Sequence, residues 1–352
     1  MRRILLLSNM WPHVDNVSSG TFVKKMMDQL EFGDAHQVEK CVLRPHRFKV
    51  VAYLSFYVRA FCAMVFVRDY VLYCHFISHT GLLALVGRYL FRKRVILNCH
   101  GTDIVLPAKT EGFVHTLNAI VLRSADKVIV PSNYFSRLLL DKFNISKNTV
   151  FVYPSGGVFY PADWQKPERP WLKDSITFGY VGSLSTLKGV RIIAQCMNQI
   201  GFRCRLLVAG AGDDQLLSSI DNPLVEIIYY GVLSRQDLNK LYMSIDVLLF
   251  PSLLEESLGL SPIEAMAFGV PVVASEIGAV SEYVEDGKNG FLVQPGSVND
   301  LRLALLKIRN LSQSEYISFG LRARGIAIEY DENKIARDYR SIIRKVCNDG
   351  QV

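Results

Sequence analysis

The 352-residue sequence has no Cys-x-x-Cys pair, and its seven cysteines are odd in number and scattered from Cys41 to Cys347. That spacing argues against a disulfide framework and against a structural zinc, and points to a reduced compartment. There is no Asp-x-Asp, so no carboxylate pair is laid out for a catalytic magnesium or manganese. No Gly-x-Gly-x-x-Gly opens a strand–helix unit, which argues against a dinucleotide-dependent oxidoreductase. Low-complexity tracts and internal repeats are missing, so extended disorder is not expected before Cys347. Acids are scarce in the first half. Over residues 1–150 twenty lysines and arginines face ten acids, a charge of +10, and the remainder carries −3 of the chain's +7. A polyanionic partner follows: a phosphorylated acceptor, an anionic membrane or a nucleic acid. No nucleic-acid module accompanies the basic half.

Long uncharged apolar runs are also lacking. The opening run Ile4–Leu7 is four residues, with Asn9 and Pro12 close behind, and reads as a buried strand, not a signal peptide. His46–Arg68, HRFKVVAYLSFYVRAFCAMVFVR, is apolar and aromatic but carries Arg59 at its middle. A spanning helix needs roughly 20 nearly uninterrupted apolar residues. Two readings stay open: a helix lying in a membrane interface, or an ordinary buried domain helix.

The length is about that of two domains, and half the residues are hydrophobic, enough for two cores. Strands are expected at Arg3–Ser8, Val71–Phe76, Val95–Cys99, Lys127–Val130 and Val150–Tyr153, with helices near Gly20–Leu30, Thr80–Phe91, Gly112–Arg123 and Tyr134–Lys142. Residues from Pro154 through Pro161, Pro167 and Pro170 are rich in breakers and read as a linker. Strands then resume at Thr177–Val181, Arg205–Ala209, Val225–Tyr229, Val247–Phe250, Val270–Ala274 and Phe291–Val293, with helices at Val298–Arg309 and Leu321–Val346. Short apolar strands alternating with helices imply parallel sheets covered on both faces. The expected fold is α/β: two Rossmann-like doubly wound domains over 1–160 and 170–328, facing a central cleft, with a final helix over 329–352 crossing back to the first domain.

The most informative segment is Pro251–Ser275, PSLLEESLGLSPIEAMAFGVPVVAS. A strand ends at Phe250, a loop carries Gly259, and Pro262 suits the first position of a helix. The amides at such a helix start make an anion site, and in open α/β sheets these sites lie at carboxyl ends of strands. Glu256 and Glu264 flank the loop. A carboxylate accepts two hydroxyl hydrogen bonds, which suits the vicinal diols of sugars. Ser261-x-x-Glu264 is equally a capping box, and Glu256 beside Glu255 is equally a solvated loop acid.

This segment closely resembles the donor-binding signature of the retaining group 1 (family four) glycosyltransferases of GT-B fold, Pro-Ser-x-x-Glu-x-Phe-Gly-Leu-x-x-x-Glu-Ala-Met-Ala-x-Gly-x-Pro-Val-Val-Ala-Ser. One extra residue precedes the first acid, and Leu258 stands where an aromatic is usual. The resemblance implies that Glu256 and the Leu258, Gly259, Leu260 and Ser261 backbone hold the donor sugar and phosphates, and that Glu264 holds the ribose. Tyr180–Val190, YVGSLSTLKGV, resembles the family's phosphate clamp: Lys188-Gly189 matches, but Ser183 stands where arginine is commoner and supplies no charge. Without the family, Lys188 is a solvated lysine at a helix start. Gly210, in LLVAGAGD, resembles the loop that approaches the nucleotide, and Gly231-Val232, in YYGV, the segment whose backbone reads the base. In the first half, Asn98–Ile104, NCHGTDI, makes His100 a contact to the donor sugar by resemblance; a lone histidine at a strand end is otherwise a satisfied, partly buried residue. Asp103 orients the loop that follows. Ser18–Lys24 resembles a glycine loop facing the phosphates and acceptor, with Gly20 its key residue; His75, His79 and His13 are structural or acceptor-side candidates. Tyr330–Tyr339 resembles the family's final crossing helix, with Glu332 where an aromatic is usual.

The implied activity is retaining transfer of a hexose or N-acetylhexosamine from a nucleotide-sugar, UDP-sugars preferred over GDP-sugars, to a glycan or lipid-linked acceptor of surface polysaccharide, lipopolysaccharide or glycolipid. His100, Lys188 and Glu256 are the catalytic candidates. Lys188 and the helix-start amides offset the leaving diphosphate's charge, so neither metal nor cofactor is expected. The expected location is cytoplasmic, peripheral at the inner membrane face through residues 46–68. The rival readings are a dinucleotide-dependent oxidoreductase and a catalytically silent sugar-nucleotide-binding protein, the latter supported by Ser183 alone.

Overall fold

The structure, a computed structural model, describes residues 3–12, 20–32, 36–101, 104, 112–163 and 176–348. His13, Ser18, Ser19 and Asp103 lie outside these residues. The chain divides into two compact units, Met1–Gly157 with Asn333–Val352, and Val158–Glu332. The units therefore change at 157/158 and 332/333, where the sequence boundaries were drawn at 160/170 and 328/329.

The first unit is built on six parallel strands, β1 Arg3–Ser8, β2 Val38–Val42, β3 Tyr70–His75, β4 Val95–Asn98, β5 Lys127–Val130 and β6 Val150–Val152, in the order β2-β1-β3-β4-β5-β6. Its helices are α1 Thr21–Glu31, α2 Lys49–Phe66, α3 Ile77–Leu85 continued by a π-helical turn over Val86–Leu90, α4 Phe113–Ser124 and α5 Asn133–Phe143. Every residue of β3 is buried. Such an unbroken apolar run is what a parallel sheet covered on both faces demands. β2 has no counterpart among the expected strands. Its sequence VEKCV is polar, with Lys40 exposed, because β2 is an edge strand with a single neighbour.

The second unit carries β7 Ile176–Val181, β8 Cys204–Ala209, β9 Val225–Tyr229, β10 Val247–Phe250, β11 Val272–Ser275 and β12 Gly290–Val293, in the order β12-β11-β10-β7-β8-β9. Its helices are α6 Val190–Met197, α7 Gln215–Ser218, α8 Arg235–Ser244, α9 Leu260–Ala267, α10 Val298–Asn310 and α11 Gln313–Ala327. Read within the unit, this is the doubly wound 3-2-1-4-5-6 order, reversing between β7 and β10. The helix expected over Leu321–Val346 is two helices: α11 ends at Ala327, and α12 spans Glu332–Asn348. The break at 328–331 is the return to the first unit. There Val158 N–H donates to the Tyr330 carbonyl at 2.8 Å and Glu332 N–H to the Val158 carbonyl at 2.9 Å.

α12 completes the first unit's core. Ile335, Tyr339, Ile343 and Val346 pack with Ile4, Val71, Tyr73 and Tyr153. The Tyr339 hydroxyl donates to the Tyr73 hydroxyl at 2.7 Å, which also accepts from Asn98 Nδ2 at 2.9 Å.

α2 packs through one narrow stripe, Ala52, Phe56, Ala60 and Met64, at a spacing of four. Its outer arc is apolar and open: Val50 is 80% exposed, Leu54 64%, Val58 55% and Phe66 79%, with Phe61 and Val65 between them. Lys49 and Arg59 are the only charged residues of the helix. Arg59 folds back, donating from Nη2 to the Val42 carbonyl at 2.9 Å. Exposed Arg44, Arg47 and Lys49 flank its start and Arg68 its end.

Candidate functional site

The candidate residues of the second unit sit after β7, β8, β9 and β10, at the carboxyl ends of strands around the reversal of strand order. Ligands of open α/β sheets gather there. Hydrogen bonds knit these loops together. Gly182 N–H donates to the Ala209 carbonyl at 3.0 Å, Gly210 N–H to the Gly231 carbonyl at 2.8 Å, and Leu253 N–H to the Leu187 carbonyl at 2.8 Å. The structure thus brings Ser183, Gly210 and Gly231 into one loop cluster. Ser183 is exposed, Val232 is 71% exposed, and nothing lies within 4 Å of where a Cβ on Gly231 would be.

Lys188 and Glu256 meet directly. Lys188 follows a turn that Ser185 caps by accepting from the Lys188 N–H at 3.2 Å. Its Nζ lies 2.6 Å from Glu256 Oε1, with the lysine side chain 29% exposed and the carboxylate 11%. Ser252 Oγ donates to the same oxygen at 2.6 Å, and the Glu256 carbonyl accepts from Ala279 N–H at 2.9 Å. Glu256 is therefore not a solvated loop acid. It is a buried carboxylate fixed through its backbone and one oxygen.

α9 starts at Leu260, with Gly259 as its N-cap residue at φ 79° and no capping side chain. A Cβ on Gly259 would lie 2.8 Å from the Tyr283 hydroxyl, so the left-handed turn and the close approach both require glycine. This corrects two expectations. Pro262 is the third helical residue, not the first, and the Ser261-x-x-Glu264 capping box is not formed. Ser261 already lies inside the helix, one turn behind Glu264. Glu264 instead accepts at Oε2 from the Tyr242 hydroxyl at 2.7 Å. The amides of Leu260 and Ser261 are left at the open, positive end of the helix.

Three buried tyrosines support these loops, and the sequence pattern did not single them out. Tyr180 donates to the Ser183 carbonyl at 2.7 Å, Tyr242 to Glu264, and Tyr283 to the Leu258 carbonyl at 2.8 Å. Burial raises all three phenols, with Glu256 adding to the rise at Tyr180 and Tyr283 and Glu264 at Tyr242. They therefore remain protonated donors at neutral pH. The available signal was their place at strand ends or helix faces beside the motif loops. The Leu258 side chain is buried in the core beside Phe250 and Tyr283, so in place of the usual aromatic it packs.

In the first unit the candidates also follow strand ends. Gly20, φ 70°, lies so close to the loop after β1 that a Cβ would fall 2.8 Å from Met10 and Trp11 backbone atoms. His100 follows β4, half-buried, and its ring is 4.7 Å from Phe22 and 4.6 Å from Phe76, centroid to centroid. His75, the last residue of β3, is fully buried, and its Nδ1 lies 2.9 Å from His100 Nε2. Burial pulls His100 down to about 3 and His75 well below the usual histidine value. His79 sits against Tyr53, rings 5.4 Å apart. Among the described residues no group of three or more His, Cys, Asp or Glu is placed to hold a metal ion.

Residues 175–310 match the family model of glycosyl transferases group 1. The chain is 31% identical over 171 residues to a phosphatidyl-myo-inositol mannosyltransferase of Mycobacterium leprae, covering 47% of this chain and 43% of that protein. It spans at most 58% of the length of the first curated relatives it matches. A sucrose-phosphate synthase of Thermosynechococcus elongatus shares its fold with a TM-score of 0.75 at 20% identity, covering 98% of this chain and 99% of that one. The Anabaena protein HepE, solved in complex with UDP, follows with a TM-score of 0.71 at 19% identity, covering 98% and 100%. The fold is that of the GT-B glycosyltransferases.

Proposed function

With residues 175–310 a match to the group 1 glycosyl transferases, we propose that the protein is a retaining glycosyltransferase moving a hexose or N-acetylhexosamine from a nucleotide-sugar to a lipid-linked glycan acceptor. The observation that carries this reading is the pairing of Lys188 with Glu256 and of Tyr242 with Glu264 at the ends of β7 and β10. Without ligand, the ion pair satisfies both charges. A bound donor separates them: Lys188 turns to the diphosphate, and Glu256 accepts from sugar hydroxyls. Glu264 accepts from the ribose with the oxygen that Tyr242 leaves open. The C–O bond to the diphosphate breaks as its oxygens gain charge, which Lys188 and the Leu260 and Ser261 amides offset. The acceptor oxygen bonds to the same sugar face, and its proton passes to a departing phosphate oxygen. His100 contacts the sugar. Lys188 and the helix-start amides supply the positive charge in this scheme, which supports transfer without a metal. The UDP-bound neighbour supports a UDP-sugar as donor.

The acceptor and location follow from α2. An outward arc with no charge, flanked by Arg44, Arg47, Lys49 and Arg68, suits an anionic membrane surface in which the helix lies flat. Its inner stripe and Arg59 are engaged with the first unit, which supports a helix that docks without spanning. The phosphatidylinositol-mannosylating relative supports a lipid acceptor. These features support a seat at the inner membrane face, in surface polysaccharide, lipopolysaccharide or glycolipid synthesis.

A thermal-shift screen tests the donor site. UDP, GDP, ADP and their sugars are added singly, with and without EDTA, since a ligand bound only by the folded state raises the melting temperature. The expected result is a rise with UDP or UDP-sugars, unchanged by EDTA and abolished in Glu264→Ala. A rise with NAD or a metal alone sinks the reading.

A further inference from the structure

We infer that His75 is the positioning residue of His100: its Nδ1–H donates to His100 Nε2 and fixes His100 as the tautomer that carries its proton on Nδ1. The inference deepens the proposed function and rests on the reading that His100 faces the donor sugar.

The contact has hydrogen-bond geometry. The nitrogens are 2.9 Å apart, the ring planes are 8° from parallel, and the centroids are 5.1 Å apart. A centroid separation longer than the N···N distance by about one ring diameter means the two rings meet edge to edge, not face to face. Both rings are neutral, since burial disfavours their charged forms and His100 adds to the effect at His75. A neutral imidazole has one N–H and one bare nitrogen, so two arrangements exist. If His100 donated, the proton of His75 would sit on Nε2. That atom is buried and meets no hydrogen-bond partner. An orphaned N–H in a protein interior is rarer and costlier than an under-used acceptor. If His75 donates, only a lone pair is left without a partner. The second arrangement wins.

The donor is well anchored. Thr80 Oγ1 donates to the His75 carbonyl at 3.0 Å, and the Tyr73 ring lies 5.0 Å away. Phe76, next in the chain, holds a left-handed backbone at φ 59°. A bulky residue pays strain for that conformation, and such strain clusters where surrounding structure fixes a functional geometry. The turn lets Phe76 pack on His100 while His75 meets its edge. His100 is thus held at its ring by Phe22 and Phe76 and at one nitrogen by His75. In this tautomer the other ring nitrogen of His100 carries the proton and is unsuited to act as a base.

The test is ¹⁵N NMR of histidine-labelled full-length protein with steady-state kinetics. The expected spectrum of the unaltered protein shows His100 protonated on Nδ1 and bare on Nε2 at neutral pH. His75→Phe, which keeps a ring but no donor, mixes the tautomers. It lowers kcat between about 10- and 100-fold, the range typical of partners that orient functional histidines, with a smaller change in donor KM. His75→Asn, whose amide N–H falls near the Nδ1 position, restores most of the rate. Melting temperatures of both variants separate misfolding from mispositioning. Protonation of His100 on Nε2 in the unaltered protein, or an unchanged tautomer and rate in His75→Phe, overturns the inference. The underlying reading fails separately: His100→Ala with full transfer activity removes the donor contact, whatever the tautomer.

Discussion

The pattern Ser-x-x-Glu occurs at Ser252, Ser261 and Ser312, and only the last caps a helix. Ser312 accepts from Glu315 N–H at 3.3 Å, and Glu315 Oε2 accepts from Ser312 N–H at 2.7 Å. At Ser261 the preceding glycine has already turned the chain, so the serine is helical and the glutamate is released to Tyr242. Four residues cannot carry that difference; it depends on Gly259 before them and on a hydroxyl from α8. For the same reason the acids and glycines of the site were legible in the sequence, whereas their supports were not. Tyr242 and Tyr283 act across elements, Tyr180 bends back on the loop of its own strand, and Ser252 reaches its acid over a loop. Removing one hydroxyl should be felt at the ligand. Tyr242→Phe forfeits a hydrogen bond to a charged group, about 1 kcal/mol or somewhat more. Donor KM is expected to rise about fivefold, with kcat little changed, in a titration of the nucleotide-sugar. An unchanged KM detaches Tyr242 from the site.

Most elements were written in the periodicity, because strands buried on both faces and amphipathic helices leave strong patterns. β2 was not: an edge strand with exposed Lys40 has little apolar signal. The break between α11 and α12 was also hidden, since helix-forming residues run through 328–331 and only a change of unit separates them. α2 was legible as apolar but not as buried or exposed, and it has one face of each kind. The inner stripe is a domain helix, and the outer arc is a surface. Leu54→Asp with Val58→Asp places charge on exposed positions, so the melting temperature should hold within the small range of surface substitutions. Sedimentation with vesicles of anionic phospholipid should fall sharply in that variant. It should also fall for the unaltered protein with zwitterionic vesicles or added salt. Binding that ignores both the substitution and the lipid charge removes α2 as the membrane seat.

At the scale of the molecule, all seven histidines lie between His13 and His115, and the second unit has none. Burial lowers His36, His75, His79 and His100 below their usual 6.5, His100 to about 3. The folded first unit therefore binds fewer protons than its unfolded chain as pH falls below about 6.5, and stability falls with pH. The loss begins near 6.5 and continues toward about 3. Limited proteolysis between pH 7 and 5, with fragments mapped to the chain, should show the first unit opening first and the second serving as reference. His75→Phe should flatten the trend. Equal sensitivity of the two units would place the acid response elsewhere.

The core role of α12 bears on the order in which the protein is made. The second unit has all of its residues once Glu332 has been synthesised. The first unit, whose segment up to Gly157 was made before any of the second, still lacks Ile335, Tyr339, Ile343 and Val346 at that moment. The amino-terminal half thus leaves the ribosome early and waits, with Tyr73 missing its Tyr339 partner, for the last segment to be translated. A nascent chain that stops after residue 332 carries a finished second unit and an unfinished first, so the half that is synthesised first is the half that matures last.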